Sequence, residues 1–354
     1  MSKFKRIANT LKKPYKYWHL GLFVITMLMF VTLSEHWIFE LYTKRLFPLV
    51  RNIVDPLSEI IGFPFLYILI SWFAVLILYR LRKLYLLDAT RKVKLFVALK
   101  GVIRGVMSIV ILFYWLWGFN YGSISFLDYN QVKVEPVDFE FVEDEYFRVL
   151  DTLNKMSLGI EHVQWDSIDQ QNLDNHLRSF LDKYYVNANL NPVVHSIKPK
   201  GFLLRLGAQG IYLPWIGQGQ IDAGLHDLQK PFTYLHELGH GFGITNEGEC
   251  NFLAYQVGIT IDDVYVKYSV YLAYWRYLAR QMLMVGCHDT ELMSLDLRED
   301  LRDIYANYDK YPDLFPRFRR QSYDWYLKAQ GVEEGMKSYS EIIMMNYCWE
   351  NNRK

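Results

Sequence analysis

Between Thr233 and Phe242 the chain reads Thr-Tyr-Leu-His-Glu-Leu-Gly-His-Gly-Phe, which sets His236 and His240 four residues apart with Glu237 directly after the first. On a helix, positions i and i+4 share a face, so the two imidazoles can grip one metal ion together. Zinc suits such a nitrogen pair and lowers the pKa of its bound water to roughly 7. Glu237 stands where a carboxylate could take a proton from that water as general base. Pro231 fits the first turn of such a helix, and Gly241 and Gly243 allow it to end just after His240. A pair of ordinary surface or capping histidines would also satisfy the spacing, but uncharged residues fill the inner positions and both flanks, as a buried metal helix requires.

A hydrolytic zinc site needs a third protein ligand and one open position. Two glutamates lie nearby in Asn246-Glu247-Gly248-Glu249-Cys250-Asn251. If a second helix starts here, Asn246 is its N-cap and Glu249 falls three residues on, a capping-box arrangement that gives Glu249 a structural reason to exist. Glu247 is then the expected third ligand, with Glu249 the alternative. Asn251, four residues beyond Glu247, can support a ligand through its amide. A third histidine six residues after His240 would mark a metzincin, but Asn246 occupies that position.

These residues need a scaffold. Apolar spacing predicts helices over 143–156 and 167–185, a short strand over 192–199, and then β-forming, Gly-rich sequence over 202–223. Helices are expected again over 231–242, 247–258, 263–285, 290–309, 318–329 and 333–350. The result is a mostly α domain with a small sheet just before the metal helix. Gly210-Ile211-Tyr212-Leu213, within GIYLPW, is expected as an edge strand that could pair with an extended peptide, or as a plain core strand. An oxyanion donor is also needed, and Tyr323, Tyr339 and His288 are candidates. His162, His195 and His226 read as ordinary surface histidines, and Cys250 as a small buried residue.

The first 121 residues have a different texture. Apolar runs at 18–33, 60–79 and 105–121 are expected to form three transmembrane helices, with buried core helices as the alternative. Lys and Arg crowd residues 1–16 and 80–104, whereas the connection between the first two runs mixes both signs, so the N-terminus and the second connection should face the cytoplasm. The region after Tyr121 then lies outside it, with 122–140 as an extended linker and 141–354 as the extracytoplasmic domain. Residues 1–119 hold 17 Lys and Arg against 5 Asp and Glu, and the remainder holds 22 against 33. An acidic domain lacks the concentrated positive charge that binds nucleic acid. No Gly-rich phosphate loop or GxSxG elbow appears, so nucleotide binding and serine-hydrolase chemistry have no support. Three cysteines are too few for a disulfide framework.

The helix pair with HExxH followed by Glu247-x-x-x-Asn251 resembles the gluzincin arrangement. The stretch HELGHGFGITNEGECNFLAY, the segment GIYLPW, the three apolar runs and the tail YDWYLKAQGVEEGMKSYSEII together resemble the bacterial membrane family called domain of unknown function 3810. At Gln218-Gly219-Gln220 the sequence departs from that family's pattern, which has a glutamate. The resemblance implies a zincin-like metalloprotease domain anchored in the cytoplasmic (inner) membrane by several spans, in contact with lipid. The expected function is zinc-dependent hydrolysis of peptide bonds in a peptide or protein substrate of the envelope. The alternatives are a non-enzymatic, zinc-stabilised envelope protein that binds peptides or partner proteins, and hydrolysis of a non-peptide envelope component.

Overall fold

The computed structural model of the chain describes residues 18–284, 290–317, 321, 325 and 341–352. It is mostly helical with one small sheet. Helix α1 (Trp18–Thr32) turns sharply, by 116°, into a helical stretch from Glu35 to Ile61 that passes through a π-helical segment, Ile38–Leu46, into α2 (Phe47–Ile61). Helices α3 (Phe65–Tyr85) and α4 (Arg91–Leu116) are each long and apolar enough to cross a membrane, and α1 meets that test only together with its bent continuation.

Two span boundaries differ from the sequence expectation. The run at 60–79 is divided, because Gly62 adopts φ +62° as the left-handed end of α2 and Pro64 opens α3, which then continues through Arg80, Arg82 and Lys83. The run at 105–121 is divided too: up to Leu116 it is the second half of α4, which starts at Arg91, and beyond Trp117 it forms a separate 3-10 turn, Gly118–Gly122. Long basic side chains near a helix end can reach out of an apolar layer, so charge does not mark where these helices stop.

Beyond the apolar helices come α5 (Phe139–Ser157) and α6 (Gln170–Tyr184), each opened by an aspartate N-cap, Asp138 and Asp169. Three strands follow: β1 (Val193–Ile197), β2 (Gly210–Leu213) and β3 (Gln218–Asp222). β3 lies in the middle, parallel to β1 and antiparallel to β2, with Tyr212 opposite Gly219 and Ile211 opposite Gln220. Helices α7 (Lys230–Gly241), α8 (Glu247–Gly258), α9 (Val264–Met284), α10 (Leu295–Lys310) and α11 (Glu341–Asn351) complete the described chain. Apart from Gln321 and Trp325, the helix expected over 318–329 lies outside the described residues, as does the first part of that expected over 333–350.

One face of the sheet packs on α7, and Gly219 permits the approach. A Cβ at that position would meet Val194 Cγ2 at 2.9 Å and Glu237 Cβ at 3.1 Å. Residues 122–140, expected as an extended linker, contain a helical turn at Phe126–Tyr129. Phe126 is fully buried among the rings of Phe180, Phe252 and Trp349, partners too distant in sequence for local polarity to announce. Ile38, Tyr42, Phe47, Phe113, Trp117 and Phe119 share one core with residues of α7 and α8. A buried Arg51–Asp55 ion pair joins α2 to that core, where Arg51 Nη1 donates to Tyr212 Oη at 2.8 Å and Nη2 to the Gly217 carbonyl at 2.7 Å.

Candidate metal centre

α7 carries His236 and His240 one turn apart, with Pro231 in its first turn and Gly243 (φ +95°) just beyond its end. The chain then reverses into α8, whose N-cap Asn246 accepts the Glu249 N–H at 2.9 Å. Close contact of the two helices depends on Gly239, since a Cβ there would stand 3.3 Å from Cys250 Sγ.

This reversal brings Glu247 against both histidines. Its Oε2 lies 3.1 Å from His236 Nε2 and 3.7 Å from His240 Nε2, and one ligand atom from each of the three residues falls within a 4.8 Å group. Tetrahedral zinc with bonds of about 2.0–2.1 Å separates its ligand atoms by about 3.3 Å, which those two distances bracket. The far side of each imidazole is fixed as well. His240 Nδ1 lies 2.8 Å from the Ile244 carbonyl, which can only accept, so Nδ1 carries the proton and Nε2 keeps its lone pair in the neutral ring. His236 Nδ1 meets Asn251 Oδ1 at 2.9 Å in the same manner. The donor set, its spacing and its orientation fit zinc.

Without a metal the three groups form an ion-paired cluster. Burial alone would neutralise Glu247, but the positive charge of His240 and the contact with His236 outweigh it and hold its carboxyl well below the usual range, a place that a bound cation would take over. Glu237 lies on the same helix, 5% exposed, and its Oε2 has no hydrogen-bond partner among the described residues. Burial lifts its pKa to about 7, against the opposing effect of the two histidines. Burial raises the Cys250 thiol to about 11, so this residue is a neutral neighbour of His240 at 3.3 Å.

The family description "Protein of unknown function (DUF3810)" matches residues 42–347. The chain belongs to the DUF3810 family. No curated protein and no solved structure matches it. The DUF3810 region takes in α3, α4 and every residue of the candidate centre.

Among the expected site residues of this DUF3810 chain, Glu249 is not with the histidines. Its Oε1 accepts the Phe126 N–H at 2.5 Å, and burial raises its carboxyl to about 8. Only half of the capping box forms, because the glutamate side chain is drawn to another segment. Gly210 sits against Glu237, where a Cβ would come 2.5 Å from Oε1. Tyr212 faces His240 with ring centroids 6.2 Å apart, whereas Ile211 and Leu213 take the other face of the strand. β2 lies at one edge of the sheet. His162 pairs with Asp300 at 3.2 Å, and His195 and His226 likewise stand outside the three-residue group. Tyr323, Tyr339 and His288 lie outside the described residues.

Three neighbours escaped the sequence reading. Trp117 Nε1 donates to the His240 carbonyl at 2.9 Å, and the two rings meet edge-on. Arg51 holds Tyr212. On α9, burial and then the Glu247 charge push the Tyr277 hydroxyl up, so this ring is within electrostatic reach of the centre. None of the three carries a sequence signal, because each is defined by a contact across elements.

Proposed function

We propose that this chain is a membrane-anchored, zinc-dependent metallopeptidase with a zincin-like catalytic domain, working at the outer face of a bacterial cytoplasmic membrane with its N-terminus inside. The observation that carries this is the convergence of Glu247 Oε2 on two histidines whose Nδ1 atoms are both engaged elsewhere, with the unpartnered Glu237 Oε2 on the same helix. His236, His240 and Glu247 would hold the metal. When bound, zinc supplies a water of lowered pKa and polarises a carbonyl. Glu237 Oε2 is the atom to receive a proton, and a pKa about 7 suits a group that must take it up and give it back near neutrality. β2 offers a strand edge for an extended substrate, and Gly210, without a Cβ, lets that strand lie directly against Glu237. A zinc staple in a non-enzymatic binding protein is the second reading, favoured by the low exposure of His240 and Glu237.

Metal analysis and a peptide-hydrolysis assay of the purified full chain together separate the two. About one zinc per chain is expected, lost in His236→Ala and in His240→Ala. Glu237→Gln should keep the zinc and lower peptide hydrolysis by 10²-fold or more, roughly the contribution of a positioned general base. Full zinc in either histidine variant would end the site as drawn. Undiminished hydrolysis in Glu237→Gln would remove its catalytic role, and zinc without hydrolysis in the unaltered protein would favour the staple.

A further inference from the structure

A groove of about 790 Å³ runs between α9 and α10 and reaches the first turn of α7, one turn ahead of His236. Its volume is that of a ligand site. Gln209, which precedes β2, and Phe232, one turn before His236, form its inner end together with Tyr277. Four arginines line it: Arg276 and Arg280 from α9, Arg298 and Arg302 from α10. No Asp or Glu is among the described lining residues. Leu272, Leu283, Met293 and Leu301 give it an apolar floor.

This charge is out of keeping with its surroundings, since residues 120–354 carry more acids than bases. α10 alone holds Asp296, Glu299, Asp300, Asp303 and Asp309, yet it turns Arg298 and Arg302 to the groove. Asp300 is engaged by Tyr268 and His162, and Asp303 lines a different cavity. Within each helix the two arginines are four residues apart, a like-charge spacing that costs a few tenths of a kcal/mol per pair. Arg298 is occupied with the carbonyls of Met293 and Glu291, and Arg276 lies over the rings of Tyr305 and Tyr308. Among the described residues no carboxylate pairs with Arg276, Arg280 or Arg302. Cations gathered at such a cost and left without acids are complementary to an anion supplied from outside.

We propose that this groove binds an acidic peptide segment, its Asp or Glu carboxylates on Arg276, Arg280 and Arg302 and its apolar side chains on the floor. Guanidinium groups take carboxylates in paired hydrogen bonds, which suits a side-chain acid. A peptide fits better than a lipid because of where the groove lies. Trp215, just past β2, donates to the Ile109 carbonyl on α4, whereas the groove begins at the opposite end of the strand, at Gln209. Between the two points lies β2, four residues of extended chain or about 13 Å, before the turn that carries Trp215. Building on the peptidase proposal, the groove selects substrates with acidic and apolar residues on one side of the bond presented to Glu237.

The test uses full-length, zinc-loaded Glu237→Gln in detergent and a fluorescent peptide of alternating Glu and Leu, against its Gln and Leu counterpart. The Glu peptide should bind at least about tenfold more tightly, the low end for charge-assisted contacts, and weaken as salt rises. Arg276→Gln with Arg280→Gln, and separately Arg302→Gln, should abolish the preference while zinc content and melting temperature hold. Equal binding of the two peptides overturns the proposal, and so does a preference that survives both sets of substitutions. Binding of short-chain phosphatidylglycerol with no binding of the Glu peptide overturns it in favour of a lipid. Preference for the Glu peptide in a protein that hydrolyses nothing leaves the groove standing and removes the peptidase. Hydrolysis indifferent to acidic residues does the reverse.

Discussion

Glu247 and Glu249 stand two residues apart in the first turn of α8, and their side chains leave it in different directions. One meets two imidazoles, the other the amide of Phe126. Glu247→Ala should therefore lose zinc affinity outright. Glu249→Ala should keep its zinc but strand the buried Phe126 N–H, at about 1–3 kcal/mol of stability. Metal content and thermal melts of the two variants check this, and the inverse pattern would exchange their roles. The preference for Glu247 was legible in sequence from its spacing to Asn251. The true partner of Glu249 was not, because Phe126 lies 123 residues away. Asn251 illustrates the intermediate case: its supporting role follows from i+4 spacing, but that it fixes the proton of His236 needs the second helix in place.

At the scale of elements, helices with strong local signals came through closely. The metal helix expected over 231–242 is Lys230–Gly241, and α8 runs from Glu247 to Gly258 as expected over 247–258. Proline, glycine and cap residues set those limits within the segment itself. Helix α3 was misplaced because hydropathy marks what lies in lipid and not where backbone hydrogen bonding begins. How elements attach to each other yields a further prediction. Asp174 on α6 accepts the Tyr234 hydroxyl of α7 at 2.8 Å, and burial raises its pKa to about 6. A carboxyl with a raised folded pKa is stabilised by protonation. Its favourable contribution is complete below its unfolded pKa of about 3.9 and is lost as pH rises through about 6. Asp174→Asn keeps an acceptor without the charge. It should raise the melting temperature at pH 7–8 and lose that advantage near pH 4, whereas an unchanged difference across this range would deny the burial cost.

Considered as a whole, the molecule does not divide where its composition does. The charge and hydropathy of residues 1–121 suggest a detachable anchor, yet Arg51 is 2% exposed and bonds to β2 and to the turn before β3. Contacts spanning more than 160 residues leave no periodic trace in a sequence. Arg51→Ala would leave Asp55 buried without its partner, so a loss of about 3–5 kcal/mol is expected in a melt of the detergent-solubilised chain. Arg51→Met with Asp55→Leu should recover much of it. No recovery would mean that the bonds to Tyr212 and Gly217 matter more than the buried charge. Topology is testable at the same scale. Reporter fusions after residue 122 should behave as extracytoplasmic and those near residue 90 as cytoplasmic, and the opposite result would put the centre on the other side of the membrane.

The bond from Trp117 to the His240 carbonyl has a consequence for reach. Trp117 directly follows the last residue of α4, so one indole is all that separates the end of that helix from the metal helix. With α4 in a bilayer, the centre is held at a fixed place relative to the end of α4, within about one helix diameter, 10–12 Å. An extended chain covers that distance in about three or four residues. On the peptidase proposal, a neighbouring protein held in the same membrane could thus present its first few residues beyond the lipid without unfolding any domain further out, and the tether would act as a gauge of which stretch of that neighbour is reached.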